Sequence, residues 1–170
     1  MFIEKQSAPW SRDIWQHHAR QLLSEIGPGL ISASAYDTAW VARLIEQDAA
    51  LGKDALEWLC ANQLSDGSWG TEEPMCYQDR VICTLSAMTA LAQYGRRSHD
   101  RKLIENGQVA LADLTRDATR RLMANPVGAT VGFEMLAPTL VAEAEQLGIL
   151  SNQGSRILGR LEQQRKLKLA

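Results

Sequence analysis

PMCYQDRVICTLSAMTALA, residues 74–92, is the stretch that decides the fold class. Its apolar residues Val81, Leu85, Met88 and Ala92 recur at spacings of four, three and four, the pattern of one buried helix face. Helical spacing of this kind recurs along most of the chain. No segment shows the sustained alternation of apolar and polar residues that marks a half-buried strand. The sequence therefore predicts an all-α fold.

Breaks in the apolar spacing mark the other predicted helices. Residues 27–29 (Gly-Pro-Gly) end a first helix that a cap near Trp10 begins. Pro138 should kink or restart its helix because proline removes a backbone donor, and Gly107 should loosen another. The other predicted helices have the approximate bounds 34–48, 53–63, 76–95, 103–123, 131–147 and 151–169.

A basic cluster, RRSHDRK from Arg96 to Lys102, separates two of these helices. It also contains His99 and Asp100. We interpret it as a solvated loop or helix end, with a functional role as the alternative.

Composition and charge narrow the class of protein. A chain of 170 residues, 45% of them hydrophobic, can bury one sizeable core, which predicts a single domain over residues 1–170. The net charge of -2 does not indicate the basic surface that is typical of nucleic-acid-binding proteins. Cys60, Cys76 and Cys83 lack paired CxxC spacing, so neither a zinc site nor a disulfide framework is expected.

The chain also lacks the usual signals of secretion and membrane insertion. Its first ten residues contain no apolar core of signal-peptide length. No apolar run reaches the roughly 18 residues that a membrane-spanning helix needs. We therefore expect a cytoplasmic protein with reduced thiols.

Three segments together suggest a family. They are SAYDTAW (34–40), QLSDGSWG (63–70) and GFEMLAPTLVAEAEQLGI (132–149). In this order they resemble the SAYDTAW, Q-x(3)-G-x-W and GFE-x(3)-P-x-L motifs of class II diterpene cyclases, in particular bacterial copalyl and halimadienyl diphosphate synthases. The resemblance implies an α-barrel of the γ-domain type, which in those enzymes packs against a β domain with the active site between them. Residues 1–27 could add a helix that packs on this β partner.

The resemblance also implies structural roles for the second motif. Gln63, Gly67 and Trp69 match its conserved letters in this sequence, and Asp66 with Gly67 forms a turn signal. In the family, the glutamine amide satisfies backbone groups at a helix end and the indole covers the joint between two helices.

The chain lacks the family's catalytic acid. In the family, the middle aspartate of a DxDD motif in the β domain protonates the terminal alkene of a prenyl diphosphate. Alkenes are weak bases, so this step needs a strongly acidic carboxyl group in a dry, aromatic-lined cavity. The sequence contains no DxDD, DxD or DDxxD. We therefore expect no cyclisation by the isolated chain, which is either an excised piece of a cyclase or a separate subunit; its initial methionine favours the subunit.

Substrate contacts are expected at two places. The segment KLKL resembles a lysine-containing segment that leads out of the γ region, where a lysine approaches the diphosphate; Lys168 is the best match and Lys166 the second. Tyr36 and Trp40 adjoin Leu44 on one predicted helix face, and they either line the cation-stabilising cavity or pack the barrel. Packing is the favoured interpretation, and we expect the neighbouring Asp37 to bond a backbone group or an arginine.

Magnesium binding is less well supported. Plant relatives carry an acidic EDxxD-like segment before the GFE motif, whereas this chain has basic residues at that place, within 117–134. Glu134 is either a metal or polar anchor or a structural residue. Mg²⁺ in the assembled enzyme remains an option.

These features predict a subunit or domain that, with a DxDD-bearing β-type partner, converts geranylgeranyl diphosphate to a bicyclic diphosphate. Its own role would be to complete the cavity and help hold the diphosphate. Two alternatives stay open: a noncatalytic scaffolding or interaction module derived from a γ domain, and a helical protein that binds prenyl diphosphates without chemistry.

Overall fold

A computed structural model describes residues 16–18, 20–21, 33–73, 75–116 and 132–150 of the chain. The chain divides into two compact units, residues 1–32 and 33–170. In the first unit, the described residues are helical and exposed. No strand occurs in the described ranges of either unit, and the predicted all-α class is confirmed.

The described part of the second unit contains five helices: α1 (Ala35–Ala42), α2 (Ala49–Ala61), α3 (Tyr77–Tyr94), α4 (Ser98–Thr115) and α5 (Phe133–Gln146). Helix α3 is at the centre and packs against each of the other four. Its residues from Arg80 to Leu91 are all buried, including Val81, Leu85 and Met88. The spacing that predicted a buried helix thus corresponds to the core of the unit. None of the helices in the described ranges is long and apolar enough to cross a membrane.

The prediction of one helix over 34–48 was wrong. Helix α1 ends at Ala42, and residues 43–47 form a turn. Asp48 belongs to the next helix, because its carboxylate accepts hydrogen bonds from the Ala50 and Leu51 amides at 3.1 and 3.0 Å. Helix α2 therefore begins at Ala49 rather than near residue 53.

The predicted start of the helix over 103–123 was also wrong. Helix α4 begins at Ser98, within the basic cluster, and it continues through Gly107 without interruption. The Asp100 carboxylate accepts a hydrogen bond from the Arg97 amide at 2.9 Å, which caps the helix start. Burial would raise the Asp100 pKa, but this bond, the Cys60 thiol and the Arg97 charge together lower it below its usual range.

Helix α5 is continuous from Phe133 to Gln146 and contains Pro138 in its interior, so the expected restart at this proline does not occur. The proline is buried. The predicted extension of α4 to Met123 and the predicted last helix, 151–169, lie outside the described residues.

Candidate functional site

Gln63 joins the segment after α2 to helix α4. Its amide Nε2 donates to the carbonyl oxygens of Gly67 at 2.9 Å and Leu103 at 2.8 Å. Its Oε1 accepts from Asn106 at 3.3 Å. Gly67 has a φ of 85°, and a Cβ there would lie 2.7 Å from the Asn106 carbonyl oxygen. Glycine is therefore required at this turn for both its backbone angle and its close packing.

Trp69 joins α2 to α3 from the other side of the same turn. Its side chain is fully buried, and its Nε1 donates to the Leu59 carbonyl, near the end of α2, at 2.8 Å. Its backbone amide donates to Thr84 Oγ1 on α3 at 3.0 Å. The tryptophan therefore satisfies a carbonyl in the last turn of one helix while it packs against another.

Asp66 and Arg80 complete this joint. Asp66 Oδ1 accepts from the Ser68 amide at 3.0 Å and from its hydroxyl at 2.7 Å, and Oδ2 pairs with the Arg80 guanidinium. Burial alone would raise the Asp66 pKa, but the Ser68 hydrogen bonds and the Arg80 charge lower it. The Arg80 side chain also donates to Ser68 Oγ at 2.8 Å and to the Thr71 carbonyl at 3.2 Å. Because the groups of this joint bind one another, its arrangement suits a structural role.

The start of α1 is fixed by Ser34. Its hydroxyl oxygen accepts from the Asp37 amide at 3.0 Å, and the hydroxyl donates to Asp37 Oδ2 at 2.6 Å. Asp37 thus bonds a hydroxyl group, rather than the backbone group or arginine that we expected from the sequence. Its side chain is exposed.

One face of α1 and the following turn is open to solvent, and we name it the α1 face: Tyr36, Trp40 and Leu44. Trp40 is 46% exposed and Leu44 45% exposed, whereas Tyr36 is half-buried. The rings of Tyr36 and Trp40 meet edge to face with centroids 6.3 Å apart. Tyr36 packs against the core, in agreement with the favoured packing interpretation, whereas Trp40 is not enclosed by the core.

Arg43 anchors the α1 face to two other helices. Its guanidinium lies 4.2 Å from the centroid of the Trp40 ring. The same group makes two hydrogen bonds to the Glu143 carboxylate on α5, at 2.7 and 2.8 Å, and Glu143 accepts from Gln93 on α3 at 3.0 Å. Sequence reasoning missed this network because Arg43 and Glu143 are 100 positions apart and share no local pattern.

The remaining predicted site residues are Glu134, Lys166 and Lys168. Glu134 lies half-buried in the first turn of α5. Lys166 and Lys168 lie outside the described residues. Within the described ranges, no group of three or more histidine, cysteine, aspartate or glutamate side chains could hold a metal ion.

Cys60, Cys76 and Cys83 form no disulfide bond with one another. Burial, followed by the hydrogen bond and charge of Asp100, raises the pKa of Cys60 to about 11. Burial, followed by the Asp79 charge, raises the pKa of Cys83 to about 12. Because the thiolate is the reactive form, neither cysteine is activated as a nucleophile.

No protein-family model matches the chain. It is 47% identical to the type B diterpene cyclase of Mycobacterium tuberculosis over 152 residues, which are 88% of this chain and 30% of that cyclase. It is 34% identical to a chloroplastic copalyl diphosphate synthase of Salvia miltiorrhiza over 135 residues, 78% of this chain and 16% of that enzyme.

Two solved structures are similar to the fold. The ent-copalyl diphosphate synthase of Arabidopsis thaliana, in complex with (S)-15-aza-14,15-dihydrogeranylgeranyl thiolodiphosphate, has a TM-score of 0.61 and 31% identity and covers 90% of this chain. The abietadiene synthase of Abies grandis has a TM-score of 0.62 and 29% identity over 91% of this chain. The matched region is 22% of the first structure and 21% of the second.

Proposed function

The chain is a homologue of the class II diterpene cyclases and has their α-barrel class of fold, and from this premise we propose that it is the γ-type part of such an enzyme. The match covers most of the chain but only about 16 to 30% of the curated relatives named above. This difference in coverage is the main support for the proposal, because it indicates that the chain corresponds to one part of a longer enzyme. The rest of the cyclase is a β-type partner, either in the same polypeptide or in a separate subunit.

In this proposal, the assembled enzyme cyclises geranylgeranyl diphosphate to a bicyclic diphosphate after protonation of the terminal alkene. The proton comes from a DxDD aspartate of the partner, since the chain has no DxDD motif. The chain closes the cavity, and Lys168, with Lys166 as the second candidate, neutralises part of the diphosphate charge. In the assembled enzyme, Mg²⁺ would assist diphosphate binding.

The α1 face is the proposed docking surface for the partner. Trp40 and Leu44 are large apolar side chains with nearly half of their surface in solvent. Exposed tryptophans are frequent anchors of protein interfaces because one residue buries a large area with few rotatable bonds. Arg43 lies over the Trp40 ring and is itself held by Glu143 of α5, so the anchor is positioned before the partner binds.

The test is co-expression with a DxDD-bearing β-type polypeptide, both as a separate chain and fused to this one. We expect a complex that converts geranylgeranyl diphosphate to a bicyclic product, detected by mass spectrometry after removal of the diphosphate. Trp40→Ala should weaken association of the separate chains at least about tenfold. Val109→Ala is the matched control, because Val109 is an exposed apolar residue on α4.

If neither the separately expressed chains nor the fused chain gave a product, the cyclase proposal would be overturned. A stable complex without turnover would instead favour the noncatalytic scaffolding module. If Val109→Ala weakened association as much as Trp40→Ala, the α1 face would not be the docking surface.

A further inference from the structure

The basic cluster borders a cavity of about 560 Å³ that the proposed function does not use. Its walls come from the end of α3, the first three turns of α4 and the segment after α5. Cavities of this volume are typical of small-molecule sites. Gln108 fixes one wall, because its Nε2 donates to the Ile149 carbonyl at 2.7 Å. We call this space the basic cavity.

The charged groups of the basic cavity leave two arginines available to a ligand. The Arg97 guanidinium is already engaged, because its Nε donates to buried Asp100 at 3.1 Å. The Glu105 carboxylate pairs with Lys102 at 3.4 Å. In the described ranges, by contrast, neither Arg96 nor Arg101 has a hydrogen bond or an ion pair. The two carboxylates of the wall are thus neutralised by other cations, and two guanidinium groups remain.

The chemical character of the walls defines the ligand class. Guanidinium groups bind phosphate oxygens through paired, charge-assisted hydrogen bonds. The first turn of α4 adds the positive end of its helix dipole, beginning at Ser98. The walls also contain the apolar side chains of Leu91, Ile104 and Ile149. A ligand that satisfies both parts carries a phosphate group at one end and an apolar group at the other.

We propose that the basic cavity binds a soluble organic phosphate or diphosphate monoester through Arg96 and Arg101, with the apolar group against Ile104 and Ile149. This site lies in a different segment from Lys166 and Lys168 and does not depend on the proposed cyclase function. Helix α4 provides both Arg101 and Ile104 to the walls of the cavity.

The test is calorimetric titration of the full 170-residue chain with geranyl diphosphate and, separately, with inorganic diphosphate, in buffer without magnesium. We expect geranyl diphosphate to bind more tightly than inorganic diphosphate, and raised sodium chloride to weaken both. Each of Arg96→Ala and Arg101→Ala should weaken binding about tenfold, since each removes one charge-assisted contact. Circular dichroism should be unchanged, because both side chains are exposed.

Two controls separate this site from other basic groups. Arg116→Ala removes an exposed arginine that pairs with Asp113 and does not line the cavity, and it should leave the affinity unchanged. The double variant Lys166→Ala/Lys168→Ala should also retain binding, so this proposal can fail independently of the proposed diphosphate role of those lysines.

Several results would overturn the proposal. The first is that geranyl diphosphate does not bind. The second is that the wild type and both arginine variants bind it with equal affinity. The third is that Arg116→Ala loses as much affinity as Arg96→Ala and Arg101→Ala. Binding only to vesicles that contain phosphatidic acid would also contradict it, because that result would identify a lipid surface rather than a soluble ester.

Discussion

Trp69 and Trp40 are the same residue type in opposite environments. Trp69 is fully buried and donates its indole N–H to the Leu59 carbonyl, whereas Trp40 is 46% exposed and contacts Arg43. Removing the indole N–H has different consequences at the two positions. At Trp69 it removes the shorter of two hydrogen bonds to the Leu59 carbonyl, which keeps only the bond from the Asn62 amide at 3.4 Å, and at Trp40 it changes a surface that water already reaches.

Trp69→Phe should therefore lower the free energy of unfolding by about 1–3 kcal/mol, because a buried acceptor loses its shorter hydrogen bond and the smaller ring packs less well. Urea denaturation of both proteins measures this difference. Trp40→Phe is the matched control and should change the stability by less than about 0.5 kcal/mol. Equal losses for the two variants would show that the Leu59 hydrogen bond and burial at Trp69 do not set the stability of this joint.

Some of these residue environments were accessible from the sequence. The resemblance to the family's Q-x(3)-G-x-W motif implied that Gln63 and Trp69 lie at a joint between helices, and the hydrogen bonds of both residues agree with that role. The exposure of Trp40 was not accessible, since it depends on which elements pack against α1. The pairing of Arg43 with Glu143 was missed for the same reason. Tertiary contacts of this kind leave no signal in a single sequence.

At the scale of elements, α3 was predicted well because its apolar residues alone specify a buried helix. The boundary between α1 and α2 was not, because Asp48 fits either a helix end or an N-cap until its hydrogen bonds are known. Gly107 was misleading as well. It resembles a helix breaker in the sequence, but it is buried inside a continuous helix, where neighbouring groups approach too closely for a side chain.

Gly107→Ala tests this interpretation in α4. Alanine normally stabilises a helix interior relative to glycine by about 1 kcal/mol. Here a Cβ would lie 2.7 Å from Met88 Sδ and 3.1 Å from the Trp69 ring. Since Met88 and Trp69 are both fully buried, we expect crowding to outweigh helix propensity, with a net loss of about 1–3 kcal/mol. Thermal and urea unfolding measure the change.

A double-variant cycle shows whether Met88 is the source of the crowding. In a Met88→Ala background, Gly107→Ala should cost at least about 1 kcal/mol less than it does in the wild type. An unchanged cost would exclude the methionine contact as the cause. A stabilising Gly107→Ala in the wild-type background would show that this part of the core is loose enough to accept the methyl group.

At the scale of the whole molecule, the described residues include several large apolar side chains that are exposed to solvent. Trp40, Leu44 and Leu51 lie on α1, the following turn and α2, and each is 45 or 46% exposed. Isolated exposed hydrophobic residues are common, but an exposed tryptophan held in place by a partly buried ion pair resembles the aromatic anchors of protein interfaces. Sequence periodicity assigned Trp40 and Leu44 to a helix face without showing whether that face meets the core or a partner.

Without its partner, the chain should self-associate through the α1 face because burial of Trp40 and Leu44 removes apolar surface from water. Sedimentation velocity over a range of protein concentrations should show reversible assembly, and Trp40→Ser/Leu44→Ser should weaken it at least about tenfold. Val109→Ser is the control, since Val109 is more exposed but lies on α4. A monomer at every concentration, or an equal effect of Val109→Ser, would contradict the assignment of the α1 face as an interface. Suppression of self-association by a β-type partner would show that both interactions use the same surface, since the partner and a second copy would then compete for Trp40.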